Sequence, residues 1–347
     1  MRNLRKWLTI SLMLSVISII ALIAFTISTN TVNSLIHINP IFLFAAIAFQ
    51  LLSWLVWGAR VKTMSEAIGG EISLKNSVAI VLSSLFAASI TPAHAGSEVV
   101  RVQLLRRFRL SIGDALAVVL GEDMLDALFL GIAAPIGFIL FQNQMKSNLG
   151  LTALFASAAI LLFTIFFATL YAIAKPKKVK SLVTKFRWLF IKFRGHKKAD
   201  EMMTRILREI DVFHDSLTIY LKEGRGALGK GFVYTIAFWT FQFSIASLIL
   251  VGLGSQPWIL PSFSAQTVLT LIVILPLTPG NSGVAEISTA SIYSAFISTS
   301  ILGVFIIAWR SVTYYLNILV GGLVSLKILK GTEVLEGTVE EVIEELE

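Results

Sequence analysis

Continuous apolar runs long enough to cross a bilayer recur along this chain, and they decide its fold class before any motif is weighed. Leu8–Ile27, Gly231–Val251 and Ile301–Leu329 are such runs. A hydrocarbon core about 30 Å thick takes roughly 20 apolar residues of helix. The apolar residues are consecutive rather than alternating, which fits helices and not barrel strands. Composition agrees: 56% of the 347 residues are hydrophobic, 14% are charged, and the mean hydropathy is +0.81. Soluble domains carry about 25% charged residues. The expected fold is an all-α polytopic transmembrane helical bundle.

The charged residues orient the bundle. Arg2, Arg5 and Lys6 precede the first run, which is too long for a signal-peptide core and has no small-residue cleavage site after it. It reads as a retained first helix with its N-terminus inside. Pro40 opens a second helix to about Gly58, with Arg60 and Lys62 marking the inside. Between Lys175 and Arg208 stand twelve Lys or Arg, so this loop is expected to be cytoplasmic and to form amphipathic helices on the membrane surface. The net charge of +8 is assigned to such loops facing anionic lipid, and no nucleic-acid partner is expected. There is no cysteine, and the four histidines lack metal-ligand spacing. No metal or cofactor is expected.

Two apolar segments are broken in the same way. Thr91-Pro92 ends Val78–Ile90, a 13-residue run too short to span, and Gly96 and Glu98 follow. Thr278-Pro279 ends Phe263–Leu277, and Gly283 and Glu286 follow. With about six full spans, the first break enters from the cytoplasm and the second from outside. Paired Gly/Pro-interrupted segments of this kind are the sequence sign of an inverted repeat around a transport site. The expected organisation is a transmembrane domain over 1–330, with a basic insertion at 175–230, and an acidic tail at 331–347.

Intramembrane charges nominate the site. Glu98 and Arg101 share a helical face. Glu122, Asp123 and Asp126 sit within the span Asp114–Phe141, where a central charge costs about 2.5–3.5 kcal/mol and needs a partner, a proton or water. Arg101 and Arg310 are the expected partners. Alternatives stay open: the acids lie at the helix end, Glu98 and Arg101 form a surface pair, Glu286 only caps a helix, and Tyr314 only packs. Pro279, Gly280, Asn281 and Gly283 leave backbone N–H groups at a helix start, an arrangement that attracts phosphate.

In this order the motifs resemble the transmembrane region of the lysylphosphatidylglycerol synthase family. The resemblance rests on Pro92, Gly96, Glu98 and Arg101; on Glu122 and Asp126; on Pro279, Gly280, Gly283 and Glu286; and on Arg310, Thr313 and Tyr314. Relatives often carry Arg where this chain has His94, Asp123 and Ala285, and Ser97 is an extra residue between Gly96 and Glu98. The resemblance implies a module that moves anionic phospholipids or polyprenyl-phosphate-linked lipids between leaflets. Arg101 and Arg310 would hold the phosphate, with His94 as a pH-sensitive neighbour. Two other functions are weighed: a non-catalytic membrane partner of a lipid glycosyltransferase, and an enzyme acting on lipid phosphates with Mg²⁺ held at Glu122, Asp123 and Asp126.

Overall fold

The computed structural model describes residues 39–91, 95–146, 175–185, 196–222, 224–273, 278 and 281–328, together with isolated positions between 153 and 171. The expected first span and the acidic tail lie outside the described residues, as does most of Leu149–Ala174. Every regular element among the described residues is helical.

α1 is Pro40–Glu66. Pro40 sits in its first turn, where the missing N–H is not needed, and the Asn39 side chain accepts from Ile41 N at 3.0 Å. The helix runs two turns beyond the expected end at Gly58. Arg60 is not an interfacial cation: it is 1% exposed and has partners inside the bundle, so the helix continues past it. α2, Leu74–Ile90, starts at Ser73, whose hydroxyl accepts from Asn76 N. After the first break, α3 returns as Ala95–Leu105 and ends in a 3₁₀ turn, Arg106–Phe108. α4 is Ile112–Lys146, begun by reciprocal bonds between Ser111 and Asp114 at 3.1 Å each.

The basic insertion contains α5, Pro176–Lys185, and α6, His196–Lys222, joined by a Lys180–Asp211 ion pair. α6 is bound to the bundle: Ser216 donates to Asp114 at 2.5 Å and Tyr220 Oη donates to the Met64 carbonyl at 2.6 Å. Burial pushes the Tyr220 phenol above its ordinary value, so it remains a donor at any physiological pH. α7 is Arg225–Gly252, and its end is tied to the start of α1 by Asn39 N donating to Gly252 O at 2.8 Å. α8, Ile259–Val273, leads to the second break, and α9, Val284–Tyr293, follows it. α10 runs Thr299–Ile328 and contains a π-helical turn at Ser311–Tyr315.

α1, α7 and α10 are long and apolar enough to cross a membrane, whereas α2 and α8 are shorter apolar helices. Stripes of exposed apolar side chains, such as Leu128, Ile132, Ile136 and Ile139 on α4 and Leu319, Leu323 and Leu326 on α10, mark outward faces suited to lipid. Two apolar cores lie between the helices. One gathers α7 to α10 around Tyr293 and Phe305, and the other gathers α1 to α4 and α6 around Met64, Leu105 and Tyr220.

α2 is held close on two sides. A Cβ on Gly58 of α1 would collide with Val78, and one on Gly321 of α10 with the Leu82 carbonyl oxygen. Small residues allow this approach, which dispersion between the backbones then stabilises. Gly321→Val is therefore expected to destabilise the fold by about 1–3 kcal/mol through overpacking. Gly131→Ala, with nothing within 4 Å of the added carbon and a place inside α4, is expected to leave stability unchanged or raise it by up to about 1 kcal/mol through helix propensity. Thermal unfolding in detergent measures both.

Candidate functional site

The two Thr-Pro breaks are stitched by their threonines. Thr91 Oγ1 donates to the Ala87 carbonyl at 2.7 Å and accepts from Gly96 N at 3.0 Å. One hydroxyl thus links the outgoing arm α2 to the returning arm α3. Gly96 is required by this approach, because a Cβ there would lie 2.8 Å from the same hydroxyl. At the second break Thr278 Oγ1 donates to the Ser282 carbonyl at 2.8 Å. Asn281 and Gly283 take positive φ values of 53° and 86°, which turn the chain into α9. Pro92, His94, Pro279 and Gly280 lie outside the described residues.

A first ionic centre forms where α1, α3, α4 and α7 meet. Glu122, fully buried, accepts from Arg60 Nε at 2.9 Å and from Arg101 Nη1 at 3.0 Å. Arg60 also grips Asp126 with both terminal nitrogens, at 2.7 and 3.0 Å, and donates to Thr235 at 2.8 Å. Trp239 Nε1 donates to the same Asp126 at 2.9 Å. Arg101 donates to Glu98 at 2.5 Å and to Asp123 at 3.1 Å, and both arginines lie over the Trp57 ring. Four carboxylates therefore face two guanidinium groups. Glu98 and Arg101 are not an isolated surface pair, since Arg101 is 2% exposed and reaches α4. The acids that a divalent ion would need are already hydrogen-bonded to arginine.

A second ionic centre lies at the second break. Glu286 accepts from Gly283 N at 2.7 Å, completing half of a capping box, and its other oxygen lies 2.8 Å from Arg310 Nε. Both readings of Glu286 hold together: it caps α9 and balances a buried cation. Arg310 stacks on Tyr314 at 3.7 Å from the ring centroid. Tyr314 Oη lies 3.4 Å from Ser282 Oγ and donates to the Ser89 carbonyl at 3.2 Å. The two breaks are thus joined through a single phenol, so Tyr314 is more than packing. Arg310 was expected to partner the α4 acids; it pairs with Glu286 instead, and Arg60 takes Asp126.

Between the centres lies a belt of amides, with Gln50 and Asn317 buried and Gln242 half-buried. Gln50 Nε2 and Trp54 Nε1 donate to Asn317 Oδ1 at 3.2 and 3.1 Å, and Gln242 Nε2 donates to Ser53 at 2.8 Å. At 1.5 Å per residue, Asn317 lies about 10 Å along α10 from Arg310, and Arg60 lies about 9 Å along α1 from Trp54. Sequence reasoning missed Arg60 and the belt. A signal existed: Gln50, Ser53, Trp54, Trp57 and Arg60 recur at three- and four-residue spacing on one face of an apolar helix.

Arg60→Gln leaves Glu122 and Asp126 short of a cation in a buried setting. The expected cost is about 3–5 kcal/mol. Asp126→Asn in the same chain is expected to restore part of it, and a double-mutant cycle of thermal unfolding measures the coupling.

Residues 8–321 match the family described as the lysylphosphatidylglycerol synthase TM region. The chain is 32% identical over 317 residues to a UPF0104 membrane protein of Archaeoglobus fulgidus, covering 90% of this chain and 94% of that one. It is 26% identical over 319 residues to a UPF0104 membrane protein of Methanocaldococcus jannaschii, covering 90% and 92%. A third such protein, from Pyrococcus horikoshii, is 22% identical over 305 residues. With its helical architecture and charged motifs already in place, the chain is an integral membrane protein of the lysylphosphatidylglycerol synthase transmembrane-region family.

Proposed function

We propose that this protein is a translocator, not an enzyme. It moves an anionic phospholipid or a polyprenyl-phosphate-linked lipid between the leaflets of the cell membrane, with both termini cytoplasmic. The observation that carries this reading is the meeting of two broken helices at one point inside an apolar bundle. Tyr314 bonds to the end of α2 and touches Ser282, with the buried Arg310–Glu286 pair beside it. Broken helices supply backbone groups at membrane depth, where regular helices offer none.

The polar face of α1 and α10 gives the headgroup a route while acyl chains stay in the bilayer. A charged headgroup at the bilayer centre needs compensation of at least about 2.5–3.5 kcal/mol. Arg310, Tyr314, Gln50, Trp54 and Asn317 offer donors along that path. The belt is closed here by its own hydrogen bonds. Passage then requires α10 to shift against α1, and the π turn directly after Arg310 is a place where helix register changes locally.

Proteoliposomes with a short-chain fluorescent anionic lipid and an outer-leaflet quencher test the reading. Arg310→Gln and Glu286→Gln are each expected to slow translocation about tenfold or more, a barrier rise of roughly 1.4 kcal/mol. Unchanged translocation in both variants would sink this site assignment.

A further inference from the structure

The first ionic centre holds more acid than base. Glu122 and Asp126 already account for the charge of both arginines. Glu122 accepts from Arg60 and from Arg101, and Asp126 accepts from both terminal nitrogens of Arg60. Glu98 and Asp123 are left with one donor atom between them. Arg101 Nη2 donates to Glu98 at 2.5 Å and to Asp123 at 3.1 Å. Bonded to the same nitrogen, the two carboxylates stand within about 6 Å of each other. Each keeps a second oxygen with no partner among the described residues.

The neighbouring elements bring no further positive charge to this pair. α1 presents Arg60, which is committed to Glu122 and Asp126. α2 carries Lys75 alone, exposed in its first turn. Beyond Arg101 the next cations of α3, Arg106 and Arg107, are exposed in the 3₁₀ turn. α4 adds only the acids Glu122 and Asp126. α7 supplies the neutral donors Thr235 and Trp239, and Tyr220 of α6 is spent on the Met64 carbonyl. Nor does a metal ion balance the surplus, since no group of three or more acid or histidine side chains among the described residues is placed to hold one. The pair is open to a proton: the Glu98 side chain is 47% exposed and that of Asp123 38%, whereas Arg101 beside them is buried.

Two ionised carboxylates on one guanidinium nitrogen repel each other, and both remain uncompensated in an apolar bundle. One proton halves that surplus. It also creates a donor, because a carboxylic acid bonds strongly to a carboxylate. Glu98 lies on α3 and Asp123 on α4, so such a bond crosses between the two helices.

We infer that Glu98 and Asp123 hold one exchangeable proton between them beside Arg101, and that this proton ties the arm returning from the first break to α4. When the proton leaves, Arg101 alone holds α3 against α4 at this corner. Proton uptake therefore sets how firmly the first break is held. The folded chain keeps a proton that the unfolded chain, whose carboxyls titrate near about 4, has released at neutral pH. Stability accordingly falls as pH rises through the range in which the pair gives up its proton.

Infrared difference spectra of the full chain in maltoside micelles, recorded between about pH 5 and about pH 8, read the C=O stretch of a protonated carboxyl. Wild type is expected to show this band at the acid end and to lose it toward the alkaline end. Asp123→Asn and Glu98→Gln are each expected to abolish it. The unfolding temperature of the same samples is expected to fall with rising pH in wild type and to fall less steeply in either variant. Glu66→Gln, which alters an exposed acid paired with Lys62, is expected to match wild type in both readings. The absence of a carboxyl band in wild type would overturn the inference. So would a band that survives either substitution, since it would place the proton on one residue alone or elsewhere. Neither reading involves a lipid, so their failure leaves the translocator reading untouched, and failed translocation leaves the shared proton standing.

Discussion

Glu122 is the point on which the first half of the structure turns. It is fully buried in an apolar bundle, and two guanidinium groups from separate helices share its carboxylate. Taking three charges out of water costs several kcal/mol per ion, and only close, saturated geometry offsets that cost. The bundle meets this demand by bringing α1, α3, α4 and α7 to one place, with Asp126, Thr235 and Trp239 filling the remaining bonds of Arg60 and its partner. The returning arm α3 is thereby fixed to α4 through Arg101. The position of the first break follows from that attachment together with the close contacts at Gly58 and Gly321.

The second half is built on a lighter arrangement. Glu286 and Arg310 balance each other, and a single phenol from α10 reaches both broken segments. Carboxylates from two helices hold the first centre together, whereas a single buried ion pair holds the second. The amide belt between them is bonded within itself. Hydrogen bonds between membrane helices average only about 0.6 kcal/mol, so such a seam separates more readily than the ionic network does.

The breaks were legible as motifs because they use local chemistry. Thr-Pro ends a helix, and a glycine permits either a close approach or a positive φ. What could not be read was the function of the threonine. Its hydroxyl closes each break, and this became visible only when Thr91 met Gly96 and Thr278 met Ser282. The acids of α4 were recognised as needing partners, but one partner was assigned wrongly. Arg60 stands beside Lys62 in a sequence that looks like a topogenic cluster, and the two side chains have opposite fates. Helical phase turns Arg60 into the bundle and leaves Lys62 on the outside.

The sequence by itself determined the class of the protein: apolar runs of membrane length, basic connectors, and two matching interruptions with an acid after each. These are one-dimensional properties, because hydropathy, turn chemistry and local capping depend on neighbours in the chain. Only the tertiary structure decided which charges meet. Arg60 and Glu122, or Tyr314 and Ser89, are far apart in sequence, and their contact depends on which faces of several helices coincide. Charge balance is a property of such a meeting and not of any segment. For that reason one centre emerged as four carboxylates around two guanidinium groups and the other as a single ion pair.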